Sequence, residues 1–179
     1  MSVKNYNLKE GMSIKLFDKH SKEHIYQIKG PMGRGLGLTK DSQGNYHAYS
    51  AGTGIFVFLD LVARIGLQQM NLIPADQSLH PNFKLNLYAS FESRENAYAL
   101  EMMECIRDLV DQHNSEMFKL KLRFSNEKSP RWDKHFIDEE IREHGEVKKI
   151  WVCGPPLMSE LFDKYLQQVV PVHEMDFRT

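Results

Sequence analysis

From residue 45 onward, short apolar runs alternate with segments whose apolar residues recur at helical spacing. The runs predict strands over residues 45–52, 83–91, 118–125 and 147–154, and a last short strand at Val170–His173. The periodic segments predict helices over Thr53–Leu67, Arg94–His113, 135–144 closed by Gly145, and 155–169 with proline in its first turn. Because strands that alternate with helices form parallel βαβ units, the predicted fold class is α/β, with a doubly wound parallel five-stranded sheet and helices on both faces.

The first 40 residues have a different pattern. Turn-rich stretches such as KEGM, DKHSKEH and KGPMGRGLG alternate with short segments such as HIYQIK, which is typical of β-hairpins. The sequence therefore predicts two regions, a small β unit over residues 1–40 and an α/β domain over residues 41–179. The glycine-rich stretch between them lacks the G-K-[ST] ending of a phosphate-binding P-loop, so a simple connection is favoured.

Composition narrows the class of protein. The formal net charge of −1 offers no field that would attract nucleic acid or an acidic membrane surface. The two cysteines, Cys105 and Cys153, do not suggest a disulfide framework. The longest apolar stretch, Gly54–Leu67, is interrupted by charges and too short to span a bilayer, and the N-terminus has no signal-peptide core. We therefore expect a cytoplasmic protein without a transmembrane segment or a nucleic-acid partner.

The carboxyl ends of the predicted strands carry the residues with candidate chemistry. In parallel sheets these ends meet at one edge, where ligands bind. The four ends are Ser50–Gly54, Ser90–Glu92, Phe124–Asn126 and Cys153–Pro155.

Two of these loops each allow two interpretations. In AGTGI, unpaired amides at a helix start would suit a pyrophosphate, with Gly52 and Gly54 letting the backbone approach it. Alternatively, the glycines only close a tight strand-to-helix turn. In VCGPP, Cys153 would lie against a ring-shaped ligand or be a small buried hydrophobe, and no neighbouring base suggests a nucleophile.

Histidines and acidic residues cluster twice, at His20 and His24 and in the segment HFIDEEIREH. A metal site would need these side chains to face one point. A solvated helix face is the simpler interpretation of DEEIREH.

Six motifs in order resemble those of the ferredoxin–NADP reductase superfamily, and within it the branch of cytochrome b5 reductase and the nitrate reductase flavin domain. They are LKEGMSI, IKGPMG, AGTGI, LYASFESREN, PRWDKHFIDEEIREH and WVCGPPLM, and they cover nearly the whole chain.

The resemblance implies a role for each loop. The NAD(P)H pyrophosphate would lie on Gly52, Thr53, Gly54 and Ile55, with Ser90 a further cofactor contact. The nicotinamide would lie beside Cys153, the candidate catalytic residue, and Gly154, Pro155 and Pro156, where hydride passes to the flavin. The end of the flavin barrel would be formed by Gly30, Pro31 and Gly33. Electrons would then pass to a haem or iron–sulfur acceptor.

The sequence also departs from this family. Its flavin motif, arginine-x-tyrosine-serine/threonine, is absent, and only some 40 residues precede the α/β domain. The resemblance therefore implies that FAD is held mainly by a missing segment or a partner chain. The alternative is a degenerate reductase domain that serves as an interaction or structural subunit.

Coenzyme choice is indicated by the end of the third strand. NADH-selective members of the branch tend to carry an acidic residue where this chain has Ser125. With Arg123, Asn126 and Lys128 nearby, this favours acceptance of NADPH, because a serine and a cation suit a phosphate, although a polar loop with incidental charge remains the alternative.

Overall fold

A four-stranded parallel sheet forms the centre of the computed structural model, which describes residues 35–127 and 129–166. The strands are β1 Gly44–Ala51, β2 Phe83–Phe91, β3 Phe118–Phe124 and β4 Val147–Cys153, in the order β3-β2-β1-β4. All neighbouring pairs are parallel, which confirms the predicted α/β class. The predicted fifth strand at residues 170–173 lies outside the described residues, as do Gly30, Pro31, Gly33 and Lys128.

Four helices cover the two faces of this sheet. They are α1 Phe56–Gln69, α2 Leu100–Gln112, α3 Lys134–His144 and α4 Pro156–Leu166. Because side chains alternate along a strand, Ala48 and Leu87 pack against α1 and α2, while Tyr49 and Tyr88 pack against α3 and α4. The sheet is therefore doubly wound, with one apolar core on each face.

Local chemistry explains several helix boundaries. The side chain of Asp133 caps α3 by accepting a hydrogen bond from the N–H of Phe136 at 2.9 Å, and Gly145 follows its end with φ of 73°. Pro156 begins α4, where its missing N–H costs nothing.

Two predicted helix starts are wrong. The helix predicted from Thr53 begins with a 3₁₀ turn, Gly52–Ile55, and becomes α-helical only at Phe56. The helix predicted from Arg94 begins at Leu100, after Ala99 adopts the left-handed φ of 55°. Residues 94–99 instead form a loop, because the Arg94 guanidinium lies 4.8 Å from the Phe124 ring centroid and pairs with acidic side chains.

The chain divides into two compact units, Met1–Gly35 and Leu36–Thr179, and every element named above belongs to the second. Across residues 35–127 and 129–166, none of the helices is both long enough and apolar enough to cross a bilayer.

Candidate functional site

The strand order reverses beside β1, which has β2 on one side and β4 on the other. In the register of the sheet, Ser50 pairs with Cys153 of β4, Ala51 pairs with Ser90 of β2, and Ser90 pairs in turn with Arg123 of β3. The predicted strand ends therefore lie side by side along one edge. This reversal is the place where open α/β sheets form a ligand crevice.

The glycine turn after β1 packs directly against the loop after β4. A Cβ atom on Gly54 would lie 2.0 Å from the carbonyl oxygen of Cys153, so no side chain can be accommodated there. Gly52 has open space around it but a φ of 56°. Glycine is therefore favoured there by the left-handed backbone conformation of the turn and not by lack of space. Gly54 thus has a packing role that requires no ligand. Ile55 is fully buried in the core, so its side chain does not face the crevice.

The predicted catalytic residue, Cys153, is half-buried and packs against the core on the α1/α2 face. Burial raises the pKa of its thiol, which therefore stays protonated near neutral pH. Gly154 follows, and a Cβ atom there would lie 2.7 Å from the sulfur of Met158. The loop after β4 is therefore tightly packed, and its thiol is not an activated nucleophile.

A cavity of about 300 Å³ opens at this edge of the sheet. Its strand-end and loop walls are formed by Ala51, Ser90, Arg123, Arg131, Trp132 and Pro155. Its apolar wall comes from α4, through Leu157, Met158, Leu161 and Phe162. Among the described residues, the predicted cofactor contacts Ser90 and Pro155 line it, as does Arg123, which the sequence analysis named beside Ser125.

Two arginines give this cavity its charge. The Arg123 guanidinium donates three hydrogen bonds, to the Ser90 hydroxyl at 2.9 Å, the Pro130 carbonyl at 2.7 Å and the Ser129 carbonyl at 3.3 Å. Burial, and then the neighbouring positive charge of Arg131, lower the pKa of Arg123. Arg131 itself is exposed and has no hydrogen bond or ion pair with any described residue. Within the described part of the chain, this positive charge beside the cavity therefore has no acidic partner.

A second cavity, of about 560 Å³, lies on the β3 side of residues 131 and 132. It shares Arg123, Arg131 and Trp132 with the first cavity and is also lined by Lys121 and Phe136. The indole of Trp132 is stacked on Phe136, with ring centroids 6.1 Å apart. Trp132 and Arg131 thus separate two open spaces, of which the second is bordered by acidic side chains, Asp133 and Glu139, as well as by basic ones.

The residues predicted to set coenzyme choice lie in a 3₁₀ turn after β3, Ser125–Glu127. The Ser125 hydroxyl donates to the Glu92 carbonyl at 3.4 Å, and the Asn126 N–H donates to the same carbonyl at 3.0 Å. These contacts tie the ends of β2 and β3 together.

Sequence reasoning missed Arg131 and Trp132 as site residues. Both residues lie in the motif PRWDKHFIDEEIREH, to which the resemblance assigns no ligand contact. The sequence did offer a signal for them. Arg131 and Trp132 are adjacent, follow soon after the end of β3 at Phe124, and immediately precede Asp133, which caps the next helix.

The prediction of a solvated face for DEEIREH is wrong for two of its residues. Glu140 is 4% exposed and accepts hydrogen bonds from the Tyr88 hydroxyl at 2.8 Å and from the Lys121 ammonium. The His144 side chain is also buried, and its Nδ1 lies 2.8 Å from the Glu140 carbonyl oxygen. The described part of the chain contains no cluster of three or more His, Cys, Asp or Glu side chains arranged to hold a metal.

Solved structures with the same fold include a flavohemoglobin and two reductases. Flavohemoglobin from Malassezia yamatoensis, with bound FAD and heme, shares 15% identity at a TM-score of 0.56 over 79% of this chain and 33% of its own. The cytochrome b5 reductase domain of Ulva prolifera nitrate reductase shares 13% sequence identity at a TM-score of 0.51, over 75% of this chain and 50% of its own. A mutant of ferredoxin–NADP⁺ reductase from Plasmodium falciparum, in complex with 2′P-AMP, shares 11% sequence identity at a TM-score of 0.54, over 75% of this chain and 52% of its own.

The chain spans between a third and about half of the length of these structures. At such identities the likeness establishes the fold. No protein-family model matches the sequence, and no curated protein does so significantly.

Proposed function

Since the described domain has the fold of the NAD(P)-binding domains of ferredoxin–NADP⁺ reductase and cytochrome b5 reductase, we propose that the chain binds NAD(P)H and positions it for hydride transfer to a flavin. The single observation that carries this proposal is the position of the cavity. It lies at the reversal of the strand order and combines an indole, two guanidinium groups and an apolar wall. Anionic and aromatic groups are what such a lining would bind.

The residues around the cavity fit the adenosine half of the dinucleotide. A volume of about 300 Å³ is at the lower end of the usual range for ligand pockets, which suits half of a dinucleotide. Arg131, whose charge has no acidic partner among the described residues, would bind a phosphate, and the face of Trp132 would pack against the adenine. Ser125, Asn126 and Lys128 stay predicted contacts of the 2′-phosphate.

The remaining loops would serve the other half of the ligand. The pyrophosphate would lie on the backbone of Gly52, Thr53 and Gly54, because no side chain caps this start of the helical segment. Cys153 would border the nicotinamide as a protonated thiol, packing against it without taking part in proton transfer. When bound, NAD(P)H supplies the hydride, and the protein contributes orientation and exclusion of water.

The flavin partner follows from the resemblance. FAD would be held mainly by a segment or chain other than the described domain, and a haem or iron–sulfur protein would take the electrons onward. An absorption spectrum of the purified chain tests this directly, because a chain that retains flavin through purification would contradict it.

Calorimetric titration with NADP⁺ and NAD⁺ tests the proposed function itself. Adenosine 2′,5′-bisphosphate and 5′-AMP, titrated in parallel, report whether the 2′-phosphate is recognised. We expect NADP⁺ and the bisphosphate to bind more tightly than their partners without the 2′-phosphate, and Arg131→Met to reduce that difference while Arg142→Met, at an exposed arginine on α3, leaves it unchanged. Failure of both dinucleotides to bind would reject the function and leave the interaction-subunit alternative.

A further inference from the structure

Arg123 and Arg131 border the same cavity but differ in what their guanidinium groups already bind. Arg123 bridges two segments: it donates to the Ser90 hydroxyl at the end of β2 and to the carbonyls of Ser129 and Pro130. These are three acceptors from two separate parts of the chain. Arg131 has no partner among the described residues and is exposed.

The bridge fixes the segment that carries the cavity wall. Residues 129 and 130, which accept two of the three hydrogen bonds, immediately precede Arg131 and Trp132. Beyond Trp132, the segment is anchored by the Asp133 cap of α3. Arg123 therefore restrains one side of the wall, and the start of the helix restrains the other.

We infer that Arg123 is a positioning residue, which holds residues 129–132 against the end of β2 and thereby places Arg131 and Trp132 at the cavity, without itself contacting the phosphate. Three of its five N–H donors, including one on each of its three nitrogens, are already used by protein acceptors, so a bidentate contact with an approaching anion would compete with the bridge. Of these two arginines, Arg131 is the one whose guanidinium binds no other described residue. This inference rests on the proposed function, since its effect on a ligand is an effect on dinucleotide binding.

Arg123→Lys separates positioning from direct contact. Lysine keeps the positive charge and can serve a phosphate as a point charge, but its single nitrogen cannot reproduce a fork that spans acceptors on two segments. A direct contact would be largely preserved by lysine. A bridge would be lost with lysine almost as completely as with Arg123→Met.

The first measurement needs no ligand. Acrylamide quenching of Trp132 fluorescence is compared in the wild type, Arg123→Lys, Arg123→Met and the exposed control Arg142→Lys, with the signal of Trp151 taken from matching Trp132→Phe proteins. We expect stronger quenching of Trp132 in both Arg123 variants and no change in the control. Unchanged quenching in both would mean that the aromatic packing of Trp132 holds the segment alone, and the inference would be wrong.

The second measurement is the dissociation constant of each variant for NADP⁺ and NAD⁺, with thermal unfolding to confirm that the fold is retained. We expect both Arg123 variants to weaken NAD⁺ by about tenfold, the equivalent of one charge-assisted hydrogen bond, and NADP⁺ by at least as much, because Trp132 would contact both ligands and Arg131 would contact the 2′-phosphate. Wild-type affinity for NADP⁺ in Arg123→Lys, or a loss confined to NADP⁺ in Arg123→Met, would instead identify Arg123 as a direct phosphate contact. If the wild type binds neither dinucleotide, the proposed function fails, and quenching still decides whether Arg123 holds the segment.

Discussion

The buried histidine of β1 predicts that the domain loses stability in mild acid. His47 is 0% exposed, and neither ring nitrogen has a hydrogen-bond partner among the described residues. Burial lowers the pKa of His47 to about 4, and the charge interactions with His144 and Lys121 act in the same direction, while Glu140 opposes them. The rings of His47 and His144 are 5.2 Å apart, so a proton on His47 would also meet a second imidazole.

The sign and size of the effect follow from the two pKa values. In the unfolded chain His47 has the ordinary pKa of 6.5, so as the pH falls below 6.5 the unfolded state binds a proton that the folded state binds only near pH 4. The free energy of unfolding therefore decreases over this interval, by about 1.4 kcal/mol per pH unit and about 3 kcal/mol in all. Against a typical total of about 5–15 kcal/mol, this is a substantial loss.

Urea unfolding between pH 4 and 8 measures this loss, with His47→Gln as the test variant and His113→Gln, at an exposed histidine, as the control. Carboxylates titrate in the same range, so the informative quantity is the difference in unfolding free energy between the wild type and each variant. For His47→Gln this difference should shift by about 3 kcal/mol in favour of the variant between pH 7 and 4, because the variant lacks the titrating group. For His113→Gln it should stay constant. A difference that is independent of pH for His47→Gln would refute the reasoning.

Two further substitutions test the packing of the domain. Gly54→Ala should lower the free energy of unfolding by about 1–3 kcal/mol in urea, because its Cβ would lie 2.0 Å from the carbonyl oxygen of Cys153; a variant as stable as the wild type would show that the two loops do not touch. Tyr88→Phe should cost about 1–3 kcal/mol in the same assay, because buried Glu140 loses a hydrogen-bond donor, whereas Tyr98→Phe at an exposed ring should cost almost nothing. Equal effects of the two tyrosine substitutions would contradict this role of the hydroxyl.

The sheet could be predicted because its rules are local and topological. Each strand is a short segment in which apolar residues are either contiguous, as in FKLNLYASF, or alternate with basic ones, as in FKLKLRF. Parallel pairing then places all carboxyl ends at one edge without reference to any particular side chain. That rule places the ends of β1, β2 and β4 side by side, and the observed register pairs Ser50 with Cys153 and Ala51 with Ser90. The positions of the loops were therefore predictable from the sequence, although the contacts their side chains make were not.

The start of α2 was not predictable from periodicity. Arg94, Ala97 and Leu100 continue a helical pattern, yet the helix begins only at Leu100. The reason is a contact that is distant in sequence: Arg94 is held over the ring of Phe124, on another strand. Tertiary contacts of one side chain outweigh a few tenths of a kcal/mol of helix propensity per residue.

The chemistry of the candidate site has the same non-local origin. Arg123 reaches Ser90, 33 residues away, and Glu140 reaches Tyr88, 52 residues away. From sequence alone, a carboxylate on a helix is predicted to be solvent-exposed. A buried carboxylate is tolerated only when hydrogen-bond donors or a cation pair with it, and the sequence does not show those partners. The same reasoning applies in reverse to Arg131, which has no partner among the described residues: its difference from Arg123 becomes visible only once the three hydrogen bonds of Arg123 are seen. The distinction between a cation that builds the site and a cation that is free to bind therefore depends on the assembled fold, and exchanging Arg123 for lysine tests it.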